Sequence, residues 1–452
     1  MKVLWFCNVV LPMIGRQVNI EGSNKEGWIS GLLEEILKRR EENGIEIYIA
    51  FPTPKYNLLK GCEVCVKKIY TGSGSFDCYG FEEIMNSGGY FDTGLGKRME
   101  KILEEVQPDI IHCFGTEFAH SLEAVKNFKR PGRTLVGLQG LCMECADAYY
   151  ANLPEDIISK QTMRDKLKED SIEKQRTDFA VRGAMEVNTL AMTGHVTGRT
   201  EWDRQYAMKY CTEGTYHKMN EILRPEFYGP VWEPEKCTPH SIFVSQGDYP
   251  LKGLHYMLLA LPDILEKYPD TKLYVAGSSL VRYETLKDWL KITEYGRYLR
   301  KLMKRHKIED KVVFTGRLDA EQMCRRHLKS NLFVCCSTVE NSPNSLGEAM
   351  LLGVPCVTAR VGGIPSVFDD GKDGIMYEGF QPSDNITRHE NAERLKKVSK
   401  ALADAVIEMW SDKDKMMEYC KNARNHALKT HDREKNYQKL LEIYAEMMAC
   451  EE

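Results

Sequence analysis

Two glutamates with seven residues between them, Glu340 and Glu348, sit in the run ENSPNSLGEAMLLGVP (340–355). The residues that separate them are turn formers followed by the start of a helical pattern. The backbone N–H groups that open a helix have no intrahelical partner and make a natural seat for a phosphate. A helix beginning around Asn344, Ser345 and Leu346 would place such an anion site between the carboxylates. Glu340 would then lie in the crevice at a strand end and Glu348 on the first turn of the helix. The chemistry implied is phosphate binding flanked by two carboxylates.

The elements needed to hold this arrangement are legible around it. Residues 331–336 (NLFVCC) form a short apolar run that reads as a buried parallel strand, and 337–344 supply the turn. Leu346, Met350 and Leu351 mark the apolar face of the helix, which Gly353 and Pro355 stop. The continuation PCVTARVGGIPSVFDDGKDG (355–374) adds a further strand, a double-glycine loop at Gly362 and Gly363, and an Asp-Gly turn.

In that order, the segment resembles the carboxylate region of glycosyltransferase family 4, and 195–203 resembles a segment of its capsule and cell-envelope polysaccharide enzymes. The resemblance implies an α/β fold of the GT-B kind: two Rossmann-like, doubly wound parallel-sheet domains facing a central cleft, with a C-terminal helix crossing back to the first domain. It also implies a retaining, metal-independent hexosyltransferase that moves a sugar from a nucleoside-diphosphate sugar to a hydroxyl acceptor. No cofactor is expected, the nucleotide sugar being a substrate.

The resemblance carries roles to individual positions. Glu348 matches the glutamate that accepts hydrogen bonds from both ribose hydroxyls, and Glu340 the one near the donor sugar. Lys252, in YPLKGL (249–254), matches the lysine directed at the donor diphosphate, where a fixed cation stabilises the charge of the leaving group. Asn344, Ser345 and Leu346 would supply N–H groups to the phosphates, and Arg317 lies in a segment that lines the base. Two departures stand out. The family's Gly-Arg pair ahead of the lysine is missing from 244–248: either Gln246 or a residue from elsewhere substitutes, or diphosphate contact is weaker than usual. A family histidine near the reacting sugar is replaced by Gln139, which can hydrogen-bond a sugar hydroxyl but cannot shuttle a proton near neutral pH. On the acceptor side the matches are His112 and Glu117 in PDIIHCFGTE (108–117), and Thr200 and Asp203 in HVTGRTEWD (195–203), which helix capping explains equally well. Gly27, in the loop of 22–29, would let backbone approach a ligand.

Composition agrees with an ordinary globular protein: 452 residues, 42% hydrophobic, 28% charged, formal net charge −4. That length favours two or three domains, and the charge offers no general basic field for nucleic acid. Short β-rich runs alternate with helical patterns, as in parallel α/β sheets. The strands expected are 3–6, 46–50, 109–112, 134–138 and 188–192 in the first half, and 241–245, 272–276, 312–315, 332–335 and 356–359 in the second. Proline-rich sequence between the halves marks a linker. The expected division is 1–228 for an acceptor domain, 229–240 for the linker, 241–428 for the donor domain and 429–452 for the returning helix.

Fifteen cysteines, an odd count, suit a reducing compartment better than a disulfide framework. The pairs Cys62/Cys65 and Cys142/Cys145 are too far apart in sequence to read as a zinc ribbon, and Asp412-Lys-Asp414 reads as a solvated turn, so no metal is expected. The N-terminus has no signal-peptide pattern and no apolar run is long enough to span a bilayer. The expected location is cytoplasmic, with peripheral contact at the inner membrane surface as an option for the basic residues 126–133. The glycine-rich stretch 71–97 reads as an acceptor loop. The expected partners are a nucleotide-sugar donor and a glycan or lipid-linked acceptor. The rival functions are a non-catalytic nucleotide-sugar or carbohydrate-binding protein and a sugar-nucleotide epimerase; a nicotinamide enzyme lacks its Gly-x-Gly-x-x-Gly signature here.

Overall fold

The fold was read from a computed structural model, which describes residues 1–20, 27–53, 64–83, 92–277, 290–382 and 387–449. Two compact units emerge. The first contains Met1–Met143, Ala180–Arg224 and His431–Glu452; the second contains Glu144–Phe179 and Pro225–Thr430.

The sheet of the first unit is built from β1 (Lys2–Cys7), β2 (Glu46–Pro52), β3 (Val64–Thr71), β4 (Gly74–Phe81), β5 (Ile110–Phe114), β6 (Thr134–Gly137), β7 (His195–Gly198) and β8 (Thr215–Lys218). Their order is β3-β4-β2-β1-β5-β6-β7-β8, parallel throughout except for the β3–β4 hairpin. A central strand covered on both faces must be apolar at every position, and Val3 to Cys7 are all fully buried. Val3, Trp5 and Cys7 join one core with Leu32, Leu440 and Tyr444, while Leu4 and Phe6 join the opposite one with Met99 and Ile102. Leu440 and Tyr444 belong to the last helix, Arg433–Ala449, which is therefore part of this unit's core.

The second sheet contains β9 (Thr238–Val244), β10 (Lys272–Ala276), β11 (Val312–Gly316), β12 (Ser330–Cys335), β13 (Cys356–Arg360) and β14 (Ile375–Glu378). It is parallel in the order β11-β10-β9-β12-β13-β14. The strand order reverses between β1 and β5 in the first sheet and between β9 and β12 in the second. Ligands of such sheets bind beyond the carboxyl ends of the strands at these reversals.

Three expectations need correction. The strand expected at 188–192 is the end of a helix, Ile172–Ala191, with Thr189 Oγ1 bonded back to Met185 O at 2.9 Å; the true strand is β7, four residues that begin after Gly194. At Gly194 the chain passes so close to Pro131 that a Cβ would stand 2.5 Å from its carbonyl oxygen. The stretch 71–97 is not one loop: Gly74 opens β4, which pairs with β2 and β3, a helix starts at Leu95, and 84–91 lie outside the described residues. Finally, Glu144–Phe179 do not belong to the first unit, whose boundary lies at Arg224 rather than 228. This insert is tied into the second unit by polar contacts that hydropathy does not reveal. Ala151 O accepts from His255 Nε2 and Tyr256 Oη, both at 2.8 Å, and Asp165 Oδ2 accepts from Glu294 N at 2.9 Å.

Candidate active site

The reversal between β9 and β12 brings Lys252 and Glu340 together. The chain leaving β9 passes through a short 3-10 turn, Pro250–Lys252, before the helix Leu254–Lys267. The chain leaving β12 runs alongside it, with Thr338 N bonded to Leu251 O at 2.8 Å. As a result Lys252 Nζ donates to Glu340 Oε1 at 2.6 Å, and Ser337 Oγ donates to the same oxygen at 2.7 Å. Both charged side chains are largely buried, 20% and 14% exposed. Burial alone disfavours the lysine's charge, but the adjoining Glu340 carboxylate outweighs it and holds Lys252 above the ordinary lysine range. An ammonium has three donors, so the bond to Glu340, its one hydrogen bond among the described residues, leaves two for a ligand.

Burial is also the main reason that the thiols at the end of β12 are raised, Cys335 to about 11 and Cys336 further. Neither is a ready thiolate nucleophile.

Glycines permit the close approach of these loops. Gly253 has φ +65° and Gly362 φ +50°, and a Cβ would stand 1.8 Å from Cys336 O in the first case and 2.2 Å from Glu340 O in the second. Gly363 N then donates to Glu340 O at 2.9 Å, so the double-glycine loop after β13 anchors the backbone of the site's carboxylate. Gly253→Ala and Gly362→Ala are each expected to lower stability by at least about 2 kcal/mol, since both the backbone conformation and the contact forbid a side chain. Urea midpoints test this; unchanged midpoints in both variants would mean the loops do not need this approach.

The helix expected after the turn is Asn344–Leu352, nine residues with Pro343 at its N-cap and no side-chain cap. Leu346 N is already used by Pro343 O at 2.9 Å, so the seat for an anion narrows to Asn344 and Ser345, both half-buried. Glu348 is the fifth residue of the helix, on its second turn rather than its first, and only 3% exposed. That depth removes the solvated-cap explanation, because a charge serving only the helix dipole would stand at the exposed first turn. Gln246 is half-buried in the loop after β9, and Arg317 is exposed just beyond β11.

In the first unit the carboxyl ends of β1, β5 and β6 also converge. Glu117 accepts from Asn8 Nδ2 at 3.0 Å and from Gly140 N at 3.1 Å. Gly115, at φ +103°, makes room for this contact, since a Cβ there would lie 2.1 Å from Glu117 Oε2. Gln139, half-buried on the same rim, gives its backbone oxygen to Arg199 Nη2 at 3.3 Å, and Arg199 forms a buried ion pair with Glu221. Asn8 was not singled out from sequence, and Arg199 and Glu221 lay in segments matched to the family without a role of their own. Asn8 directly follows a strand at the order reversal, which is the signal that could have found it.

Other acceptor-side candidates are corrected. His112 is fully buried, stacked on Phe114 with ring centroids 3.9 Å apart, and its Nδ1 lies 2.8 Å from Tyr444 Oη. Burial pushes it down to about 3, so it is a neutral core residue. Thr200 and Asp203 form a capping box for the helix Glu201–Tyr210. Asp203 also accepts from Arg199 N at 2.9 Å and Tyr216 Oη at 2.5 Å. Both are buried, and capping rather than acceptor contact occupies them. Gly27 begins the helix Gly27–Lys38 and is packed under Arg224, whose Cγ would lie 2.3 Å from a Cβ at that position. The rest of its loop, 22–26, lies outside the described residues, as does Cys62.

Beneath the rim lies an unexpected carboxyl group. Glu186 is fully buried and accepts from Thr116 Oγ1 at 2.6 Å, Tyr206 Oη at 2.7 Å and Cys142 N at 3.0 Å. It thereby ties the loop after β5, which carries Glu117, to the segment after Gln139. Burial, with a smaller contribution from Glu117, pushes it up to about 7 against these three donors. A carboxyl raised on folding contributes stability that is complete below its unfolded value, about 4.3, and is lost as pH rises through about 7. Glu186→Gln is therefore expected to flatten the fall in urea midpoint between pH 5 and 8. Parallel pH profiles for variant and wild type would contradict this.

Comparison with known proteins adds to this geometry. Residues 233–426 match the family model for glycosyl transferases group 1. Spore coat protein SA of Bacillus subtilis is 30% identical over 165 residues, 34% of this chain and 41% of that protein. A GDP-mannose-dependent phosphatidylinositol monomannoside mannosyltransferase of Mycolicibacterium smegmatis is 29% identical over 137 residues, 29% of this chain and 32% of that one. The chain thus spans less than half the length of the curated relatives it matches. Among solved structures, sucrose-phosphate synthase from Thermosynechococcus elongatus aligns over 99% of both chains with TM-score 0.63 and 14% identity. Anabaena HepE in complex with UDP-glucose aligns over 98% of both with TM-score 0.60 and 16% identity. These structural likenesses show the fold, two Rossmann-like domains as in the GT-B glycosyltransferases, and within it residues 233–426 resemble the glycosyl transferases group 1 family.

Proposed function

We propose that the chain is a retaining glycosyltransferase, taking a sugar from a nucleoside-diphosphate donor held by the second unit to a hydroxyl of a cell-envelope glycan or lipid-linked acceptor. The observation that carries this reading is the Lys252–Glu340 pair at the strand-order reversal, beside an uncapped helix start and a buried Glu348. In this reading Glu348 accepts the two ribose hydroxyls. The diphosphate is held by Lys252 and the N–H groups of Asn344 and Ser345, with Gln246 and Arg317 at its margins. Glu340 orients the sugar and supports positive charge at the anomeric carbon, while its bond to Lys252 keeps the ammonium aimed.

As the bond between the anomeric carbon and the phosphate oxygen breaks, negative charge grows on the leaving diphosphate, where Lys252 stabilises it. The acceptor oxygen bonds to the carbon from the face the diphosphate leaves, and its proton passes to the departing phosphate oxygen. No protein nucleophile and no divalent ion is assigned a step. Gln139 and Glu117 of the first unit are assigned to hydrogen bonds with the acceptor.

Support for a nucleotide-sugar donor comes from the HepE complexes with UDP and UDP-glucose. The envelope assignment draws on the names of the spore-coat and mannosyltransferase relatives. No helix among the described residues is long and apolar enough to cross a membrane; a cytoplasmic location with peripheral membrane contact is part of the proposal. The test is a donor screen in which release of nucleoside diphosphate is followed with and without sugar and lipid-linked acceptors, and the product anomer is assigned by NMR. Acceptor-dependent release with a retained anomer is expected. Donor consumption that needs no acceptor would make the protein an epimerase, and no consumption of any donor would leave a binding protein.

A further inference from the structure

The far edge of the first sheet, away from the rim described above, carries an unused cluster. Parallel pairing of β7 with β8 sets His195 opposite Thr215 and Thr197 opposite His217. Because side chains alternate along a strand, His195 and His217 are diagonal neighbours on one face of the sheet. Both are buried, 5% and 6% exposed, and their rings stack with His195 Nδ1 2.9 Å from His217 Nε2. The last helix, Arg433–Ala449, brings Glu446 to the same place, with Oε2 3.9 Å from His217 Nδ1. One ligand atom from each residue lies within 4.8 Å of the others.

We propose that His195, His217 and Glu446 bind a borderline divalent cation of the Zn²⁺ class, which would bolt the C-terminal helix to the edge of the sheet. Two imidazoles and one carboxylate form a ligand set that suits Zn²⁺ and leaves a fourth position for water. Tetrahedral binding at about 2.0–2.1 Å sets ligand atoms roughly 3.3 Å apart; His217 now offers Nε2 to His195 at 2.9 Å and Nδ1 to Glu446 at 3.9 Å, so its ring, or the Glu446 carboxylate, must turn to bring one nitrogen of His217 to both partners. Glu446 is half-exposed, which gives the carboxylate freedom to swing inward and the ion a route from solvent. The helix end is already held nearby, where Arg133 Nη2 donates to Met448 O at 3.3 Å. Lys439, which acts on His217 unfavourably, is engaged by Glu442 at 3.1 Å. The sequence-based expectation of no metal rested on zinc-ribbon and Asp-x-Asp spacing and, for the transfer site, on the family resemblance; this cluster is assembled by β pairing and by a helix more than 200 residues further on, so no local spacing announces it. It is independent of the transfer chemistry.

The experiment uses the full chain stripped with EDTA, dialysed and titrated with Zn²⁺ and, for its spectrum, with Co²⁺. The cobalt form distinguishes this site from the cysteines, since nitrogen and oxygen ligands give visible bands without thiolate-to-cobalt charge transfer. The expected result is one equivalent bound without that charge-transfer band, with a rise in Tm of several degrees on Zn²⁺ binding. Glu446→Gln, a surface change that leaves the core intact, should weaken affinity at least tenfold and His217→Gln should abolish binding. Failure of the wild type to take up either ion, a spectrum dominated by thiolate charge transfer, or unchanged affinity in Glu446→Gln would each overturn the proposal and leave a hydrogen-bonded histidine pair.

Discussion

Lys252→Ala is expected to lower kcat for sugar transfer by roughly 10²- to 10³-fold, the usual cost of removing one preorganised group that stabilises charge developing in a transition state. The lysine is suited to that task because its position is determined twice, by the tight turn before Gly253 and by the 2.6 Å bond to Glu340. Removing it also leaves Glu340 in a largely buried place without its cation, an arrangement that costs more than the pair itself contributes. Glu340→Gln should produce a loss of the same order, chiefly in kcat, through misplacement of the ammonium and loss of the charge proposed to support the anomeric carbon. Because the two residues act as one pair, the double variant should lose far less than the product of the single effects. Steady-state kinetics of the three variants measure this; losses that multiply would show that the lysine and the glutamate act separately.

Glu348 is expected to govern binding rather than chemistry. Hydrogen bonds to a charged acceptor are worth about 1.5–3 kcal/mol each, so losing two should weaken nucleotide affinity on the order of 100-fold or more. Glu348→Ala should therefore raise the Kd of the preferred nucleoside diphosphate to that extent. A 2′-deoxy analogue supplies the control: the wild type should bind it more weakly than the ribonucleotide, and the variant should no longer distinguish the two. Equal discrimination by both proteins would remove Glu348 from the ribose.

The difference between what the sequence disclosed and what it concealed follows from the range of the interactions. Strands β1, β2, β5 and β6 and most of the second sheet were readable because a parallel strand covered on both faces must be continuously apolar, a signal contained in about five residues. The hairpin of β3 and β4 was concealed by polar residues on an edge strand, where Lys67 and Lys68 are exposed. The 188–192 segment was misread because β-branched Thr189 suits a strand locally, yet its hydroxyl is satisfied inside a helix. The insert Glu144–Phe179 was misplaced because its allegiance is set by Ala151 and Asp165, polar partners of residues more than 100 positions away.

The same distinction applies to the site. Glu340, Lys252 and the double-glycine loop could be placed at strand ends from sequence because each sits in a turn punctuated by glycine or proline; their roles came from the family resemblance, and the bond between Lys252 and Glu340 emerges only from the strand order. His112 and Asp203 were misjudged because residue type alone does not say whether a polar side chain faces a ligand or a core partner. Tyr444, on the last helix, bonds both His112 and Trp5, more than 300 positions from the histidine, and no local pattern could indicate it. Glu186 escaped notice for the same reason, since its three donors come from three separate segments.

The central claim is that the second unit holds a nucleoside diphosphate with Lys252 at the phosphates and Glu348 at the ribose. Isothermal titration calorimetry of the wild-type chain with the nucleoside mono- and diphosphates of uracil, guanine and adenine tests it most directly. The account predicts that at least one diphosphate binds at one site per chain, at least tenfold more tightly than its monophosphate, and that Lys252→Ala removes this preference. Binding of no nucleotide, or equal binding of mono- and diphosphate by the wild type, would contradict it.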